Sequence, residues 1–117
     1  MPSSKAETYI PLKPAHFHIL LTVADEPVHG YGIRREVEER TGGRIVLAAG
    51  TLYETLQRLE RSGLIEEKAP PSESLEVASS RWRFFMATPL GRRVATQELA
   101  RLESDVAAAR ARLRPGG

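Results

Sequence analysis

The sequence predicts a mainly α-helical fold with one small β-hairpin. Three observations lead to this prediction. Apolar residues recur at helical spacing in several separate segments. Short apolar runs near residues 64 and 84 flank a polar, turn-rich stretch, as expected of a hairpin. A chain of 117 residues can bury one hydrophobic core but hardly two.

Composition excludes several classes of protein. Hydrophobic residues make up 41% of the chain and charged residues 27%, which is incompatible with a wholly disordered chain. The absence of cysteine excludes disulfides and thiolate metal sites. No apolar run is long enough to cross a bilayer, and the first residues lack the pattern of a signal peptide. We therefore expect a cytoplasmic protein that does not enter membranes.

No group of residues in the sequence indicates an enzyme, a metal site or a bound cofactor. His16 and His18 are two positions apart on a predicted helix, so their side chains point to different faces and cannot hold one ion together. Gly30 and Gly32 follow no strand and lack the third glycine of a phosphate-binding loop. The acidic residues are scattered among arginines, which indicates solvated helix faces. The net charge of +2 does not by itself identify a nucleic-acid-binding protein.

The N-terminal half is expected to hold an arm and two helices. Residues 1–13 are polar and show no period, so we expect a flexible N-terminal arm. A first helix is predicted from Pro14 to about residue 26, because proline is favoured in a first helical turn and Pro27 ends the apolar period. A second helix begins near Gly30 and ends at the glycines that follow Thr41.

A third helix is predicted from about Gly50 to Ser62. Before it, residues 45–47 form a β-branched run that we expect to be extended or a brief strand. After it, Gly63 is expected to cap the helix C-terminus. The leucines at positions 52, 56 and 59 recur at helical spacing and mark its buried face.

The hairpin and a last helix complete the chain. One strand should run through Lys68 and return as residues 81–87, with a long turn-rich tip between them. We expect Trp82, Phe84 and Met86 to share the core-facing side of the returning strand. The last helix should begin at Thr88, a capping hydroxyl followed by proline, and end near Arg114.

Three helices followed by a hairpin is the element order of a winged helix-turn-helix domain, here over residues 14–88. Residues 89–114 then form a long C-terminal dimerisation helix. In this arrangement the third helix enters the major groove of DNA, and the hairpin lies beside it as a wing.

The outer face of the third helix is the main candidate for DNA contact. It has short polar side chains near the N-terminus, where base edges come closest, and arginines further along, which suit phosphate and guanine. The alternative is an ordinary solvated helix face. The candidate DNA-binding residues of this helix are Thr51, Tyr53, Glu54, Gln57, Arg58 and Arg61.

The wing is expected to contact the DNA backbone from its base. Lys68, Arg81 and Arg83 supply positive charge there, whereas the tip carries Glu73 and Glu76 and no cation. The alternative is that both arginines merely solvate the outer face of the hairpin.

The last helix carries a heptad-like apolar seam, which is typical of helices that pair across a dimer. A homodimer is therefore predicted, with the first helix adding to the interface. The alternative is a helix folded back on its own domain. The candidate dimerisation residues are Phe17, Leu20, Leu21, Ala95, Leu99, Leu102, Val106, Ala109 and Leu113.

Several short motifs, taken in order, resemble the PadR family of transcriptional regulators. The resemblance extends from about Pro14 to Leu113. The motifs are His29-Gly30-Tyr31-Gly32-Ile33, Gly50-Thr51-Leu52-Tyr53 with Leu56 and Leu59, Gly63-Leu64-Ile65, Arg83-Phe84-Phe85 and Thr88-Pro89-Leu90-Gly91.

The resemblance implies a dimeric winged-helix repressor that binds a palindromic operator in double-stranded DNA. A single final helix resembles the short subfamily. His29 would then hold the turn before the second helix by hydrogen bonding. Some members of the family bind flat aromatic compounds through aromatic side chains of the final helix, which this final helix lacks.

Two other functions stay open. A winged-helix module could bind protein through the same outer face and lack DNA affinity. A ligand or metal sensor could have lost its DNA role. A small-molecule effector of a repressor would act by changing the spacing between the two DNA-binding domains of a dimer.

Overall fold

The computed structural model describes residues 5–70 and 82–115 and confirms the predicted fold class. Within these residues the α-helices are α1 (Pro14–Thr22), α2 (Gly30–Arg40), α3 (Ala49–Arg61) and α4 (Pro89–Arg112). The strands are β1 (Val28–His29), β2 (Ile65–Lys68) and β3 (Phe84–Ala87). They form one antiparallel sheet in the order β1-β3-β2.

Strand β1 is an element that the sequence did not predict. It pairs with β3 through Val28 opposite Phe85 and His29 opposite Phe84. A two-residue strand is too short to show an alternating pattern, so only its pairing partner reveals it. The extended run at residues 45–47 forms no strand in the part of the chain that the structure describes, although Leu47 is buried.

The core lies between the first three helices, the sheet and the first half of α4. Helix α3 contributes Leu52, Leu56 and Leu59, each at most 2% exposed, as its apolar spacing predicted. Phe85 of the central strand and Val94 of α4 belong to the same cluster. Burial of each such side chain contributes about 1.5–3 kcal/mol, so the core fixes the orientation of α3.

Helix α4 begins at the predicted cap and approaches β2 very closely. The hydroxyl of Thr88 accepts a hydrogen bond from the Gly91 amide at 3.0 Å, and the Thr88 amide donates to the Leu64 carbonyl at 3.0 Å. A β-carbon on Gly91 would lie 2.0 Å from the Leu64 carbonyl oxygen. The first turn of α4 therefore rests directly on the backbone that leads into the wing.

The described part of the N-terminal segment, residues 5–13, is not the flexible arm that the sequence predicts. It contains a 3₁₀ helix (Ala6–Tyr9) that packs against α4, and both Ala6 and Leu12 are buried. The Tyr9 hydroxyl donates to the Ser62 carbonyl at 3.0 Å. The spacing of apolar residues does not reveal such a segment, because its buried residues are isolated and form no repeating pattern.

Glu98 of α4 holds this segment in place. Its side chain is buried, accepts a hydrogen bond from the Leu12 amide at 3.3 Å and is paired with Arg101 at 2.7 Å. The Arg101 hydrogen bond, with help from the Leu12 amide, lowers the pKa of Glu98. The interpretation of the acidic residues as solvated is therefore wrong for Glu98.

The prediction that Trp82 lies in the core is wrong. It is 47% exposed, whereas the nearby Phe84 and Phe85 are both buried. Because β3 is the central strand, Phe85 packs into the core while Phe84 lies edge-on to the His29 ring, with ring centroids 5.3 Å apart. The ring of Trp82 lies 4.5 Å from that of His29 at the surface.

His29 caps helix α2, which is the role that the resemblance implied. Its Nδ1 accepts a hydrogen bond from the Gly32 amide at 3.0 Å, so the cap requires an unprotonated nitrogen. Burial lowers the pKa of His29 below its ordinary value of 6.5. Burial also lowers the pKa of His16 and of His18, with smaller contributions from neighbouring cations.

We expect the free energy of unfolding to fall as the pH is lowered from about 7.5 to about 5.5. The unfolded chain takes up protons near pH 6.5, before the folded chain does, so stability present above that pH is lost as the pH falls through the lower folded pKa values. His29→Asn keeps a capping acceptor but cannot titrate. Its unfolding free energy should therefore change less steeply with pH than that of the wild type, by an amount that corresponds to less than one bound proton. Urea unfolding at a series of pH values measures both slopes, and equal slopes would contradict the assignment to His29.

Candidate nucleic-acid interface

The outer face of α3 is a polar surface that stands away from the core. All six predicted DNA-binding residues of this helix are exposed, and the three buried leucines lie on the opposite side. At 100° per residue, Glu54, Gln57 and Arg61 point most directly outward. These six residues are Thr51, Tyr53, Glu54, Gln57, Arg58 and Arg61.

The two flanks of this face differ in charge. Tyr53 and Glu60 lie on the flank that faces the wing, and Arg58 lies on the flank that faces the start of α1. In the part of the chain that the structure describes, neither Arg58 nor Arg61 has an ion-pair partner. Both guanidinium groups are therefore available to an anionic ligand.

The cations at the base of the wing are paired with carboxylates. Arg83 lies 2.9 Å from Glu67 and 3.6 Å from Glu60, and its hydrogen bond lowers the pKa of Glu67. Lys68 lies 3.7 Å from Glu66. Exposed pairs of this kind are weak and could exchange for a phosphate ligand, but each exchange would leave an unpaired carboxylate beside that ligand. Arg81 and the acidic tip residues Glu73 and Glu76 lie outside the described residues.

Tyr53 also has a packing role that the sequence did not predict. Its hydroxyl lies over Gly30, where an added β-carbon would be 2.6 Å from it. The ring therefore connects the N-terminal turn of α3 to the start of α2. A cavity of about 310 Å³ opens between this part of α3 and β3, and it is bordered by Gln57, Glu60 and Arg83.

An apolar groove of about 330 Å³ lies between α1 and α4. It brings together four of the predicted dimerisation residues, Phe17, Leu21, Ala95 and Leu99, beside the half-buried Ala24. Leu20 also reaches the floor of this groove, but it is 1% exposed and packs in its own core. Its place in a dimer interface stays a prediction.

The rest of the predicted seam continues along α4 beyond the groove. Leu99, Val106 and Leu113 are 48%, 49% and 78% exposed, Ala109 is exposed and Leu102 is half-buried. Exposed apolar residues in one row on a helix are unusual for a monomer and indicate a contact surface.

Among the described residues, no helix is long and apolar enough to cross a membrane.

Comparison with known proteins connects this fold to transcriptional regulation. The model of the transcriptional regulator PadR-like family matches residues 19–97. Transcriptional regulator Rv3488 of Mycobacterium tuberculosis is 41% identical over 86 residues, which cover 74% of this chain and 73% of that protein.

Two solved structures share the fold. A transcriptional regulator from Clostridium thermocellum has a TM-score of 0.63 at 22% identity and covers 92% of this chain and 94% of its own. A PadR-like transcription factor from Bacteroides fragilis has a TM-score of 0.63 at 19% identity and covers 80% of this chain and 84% of its own. From the family match and the Mycobacterium relative, we conclude that the chain belongs to the PadR-like family of transcriptional regulators.

Proposed function

We propose that this chain binds DNA in a sequence-specific manner as a homodimeric repressor. The observation that carries the proposal is the outer face of α3, where polar side chains and two unpaired arginines of the described chain project from a rigidly packed helix. The family membership supports a role in transcription.

Helix α3 would enter the major groove with its N-terminal turns nearest the bases. Thr51, Glu54 and Gln57 offer hydrogen-bonding groups there, and a carboxylate at this position accepts from the amino group of cytosine. Arg58 and Arg61 lie towards the C-terminal end of the same face and suit phosphate or guanine. In a two-fold dimer, half-sites would lie about 34–36 Å apart.

The dimer would form through the groove between α1 and α4 and the exposed apolar row of α4. Leu21, Leu99 and Val106 would be covered by a second copy, which removes from water the apolar surface that a monomer leaves open. A small molecule that binds at this interface would release the repressor by altering the angle between the two domains.

Loss of either arginine should weaken DNA binding. We expect Arg58→Ala and Arg61→Ala each to cost about 1–3 kcal/mol if the side chain contacts a base, or to lower the salt slope by about one if it contacts a phosphate. Fluorescence anisotropy with duplex from the upstream region of the gene itself, at several salt concentrations, measures both effects.

Arg112→Ala is the matched control. It removes the same charge from the exposed last turn of α4, far along the chain from α3. A scrambled duplex controls for sequence specificity. Equal affinity of both arginine variants and the wild type would contradict the proposal. Absence of binding to any duplex, including those selected from a random pool, would favour a protein-binding module.

A further inference from the structure

A second cationic surface lies beside α3, on the flank away from the wing. Here the segment before α1, the first turn of α1 and the second half of α3 enclose a cleft of about 250 Å³. Its charged and titratable borders are Lys13, His16, Arg58 and Tyr9, and no carboxylate of the described chain lines it. Lys13 and Arg58 are exposed, and His16 is half-buried.

Lys13 and Arg58 both act on His16. The positive charges of Lys13 and Arg58 add to burial in lowering the pKa of His16. Lys13 and Arg58 line the same cleft in the folded chain although they are 45 positions apart in the sequence. Like charges brought together without a carboxylate repel each other, and an anion in the cleft would relieve that repulsion.

The start of α1 adds to this positive potential. Lys13 occupies the N-cap position, and its side chain makes no capping hydrogen bond to the first turn. A lysine side chain has no acceptor, so the helix N-terminus keeps its uncompensated positive end. The backbone end of α1 and three basic side chains thus converge on one cleft.

The position of the cleft beside α3 indicates which ligand it would bind. A helix in the major groove has a phosphate backbone on each side, and here the wing flank presents Glu60, Glu66 and Glu67 beside its cations. On the opposite flank, no carboxylate of the described chain lines the cleft. The cleft also continues from the outer face of α3 through Arg58, which belongs to both surfaces.

We infer that Lys13, His16 and Arg58 form a clamp for the DNA backbone on the side of α3 opposite to the wing. The inference rests on the proposed function, because it requires α3 to lie in the major groove. The ligand is a pair of adjacent backbone phosphates. Through this clamp the N-terminal segment takes part in DNA binding, and the main phosphate contacts lie on the α1 side of α3.

The first test measures the number of phosphates that the protein neutralises. The full-length wild type and the Lys13→Gln/Arg58→Gln double variant are titrated with a mixed-sequence duplex at increasing salt. The plot of log K against log salt has a negative slope, and we expect the magnitude of that slope to be smaller by roughly 1.8 in the double variant. Each phosphate that is no longer neutralised reduces the magnitude by about 0.9. Arg110→Gln/Arg112→Gln removes the same charge from the end of α4 and should keep the wild-type slope.

The second test uses the protonation of His16. Because a phosphate favours imidazolium, DNA binding should take up a proton, and affinity should rise as the pH falls from about 7.5 to 6, by at most about tenfold per pH unit. His16→Gln should flatten this dependence. His18→Gln, a neighbouring histidine that faces Arg40 instead, should leave it unchanged.

The outcomes separate the inference from the proposed function. Wild-type protein that binds no duplex overturns both. Wild-type binding with an unchanged slope and an unchanged pH dependence in the variants overturns the clamp alone. The clamp is also overturned if inorganic phosphate at constant ionic strength stabilises the wild type but not the double variant while duplex binding by both is equal, because the cleft would then hold a free anion.

Discussion

Gly91→Ala should destabilise the folded protein by about 3 kcal/mol or more, and lower its melting temperature by about 10 °C or more. The new methyl carbon would be placed 2.0 Å from the Leu64 carbonyl oxygen, well inside van der Waals contact. A backbone atom cannot rotate away as a side chain can. The first turn of α4 would have to lift from β2 and break the Thr88–Leu64 hydrogen bond. Thermal and urea unfolding followed by circular dichroism measure the loss.

Gly50→Ala is the matched control for this substitution. Gly50 also lies in a first helical turn, but an added β-carbon meets no atom of the described chain within 4 Å there. Alanine has the higher helix propensity, so we expect Gly50→Ala to be neutral or to stabilise the protein by up to about 1 kcal/mol. Similar stabilities of the two variants would show that α4 does not rest on the Leu64 backbone as described.

Leu99→Asp/Val106→Asp should convert the proposed dimer into a folded monomer. Both side chains are about half exposed within one chain, at 48% and 49%, so the monomer core loses little. In the proposed dimer four carboxylates would be buried without partners, which costs several kcal/mol and raises the dimer dissociation constant by at least about a hundredfold. Sedimentation velocity over a range of concentrations measures this shift, and duplex affinity should fall with it.

Ser104→Asp provides the control on the opposite side of α4. It adds a carboxylate to the same helix, about 140° away from Leu99 at about 100° per residue. We expect its sedimentation to match that of the wild type. Dimers that persist in the double variant would place the interface elsewhere on the surface.

The helices and the hairpin followed from local sequence signals. Leu52, Leu56 and Leu59 recur at a spacing that only a helix brings to one face, and Thr88 with Pro89 marks a helix start through its own chemistry. What the sequence did not reveal depends on contacts between distant positions. Strand β1 exists because β3 pairs with it, and Glu98 is buried because Leu12 and Arg101 satisfy it.

The same distinction applies to the candidate site. The outer face of α3 could be predicted because its residues are neighbours on one helix. The ion pairs of Arg83 could not, since Glu60 and Glu67 come from other elements. Lys13 and His16 gave no signal at all, because their relation to Arg58 arises only when the N-terminal segment folds against α3. Trp82 was assigned to the core together with Phe84 and Met86. The residues of β3 in the core cluster are instead Phe85 and Ala87, so strand alternation holds but the wrong face was taken as the core face.

Helix α4 is long enough for a small rotation at one end to produce a large displacement at the other. Its 24 residues span about 36 Å, and its N-terminal end is fixed to the base of the wing at Gly91, whereas residues from Glu103 onward are exposed. Rotation of this helix by about 5° around its far end would carry the whole winged domain about 3 Å. That displacement is close to the roughly 3.4 Å rise of one base pair, so in the proposed DNA-bound dimer a very small change in the angle between the two copies would shift α3 by about one base pair relative to its half-site.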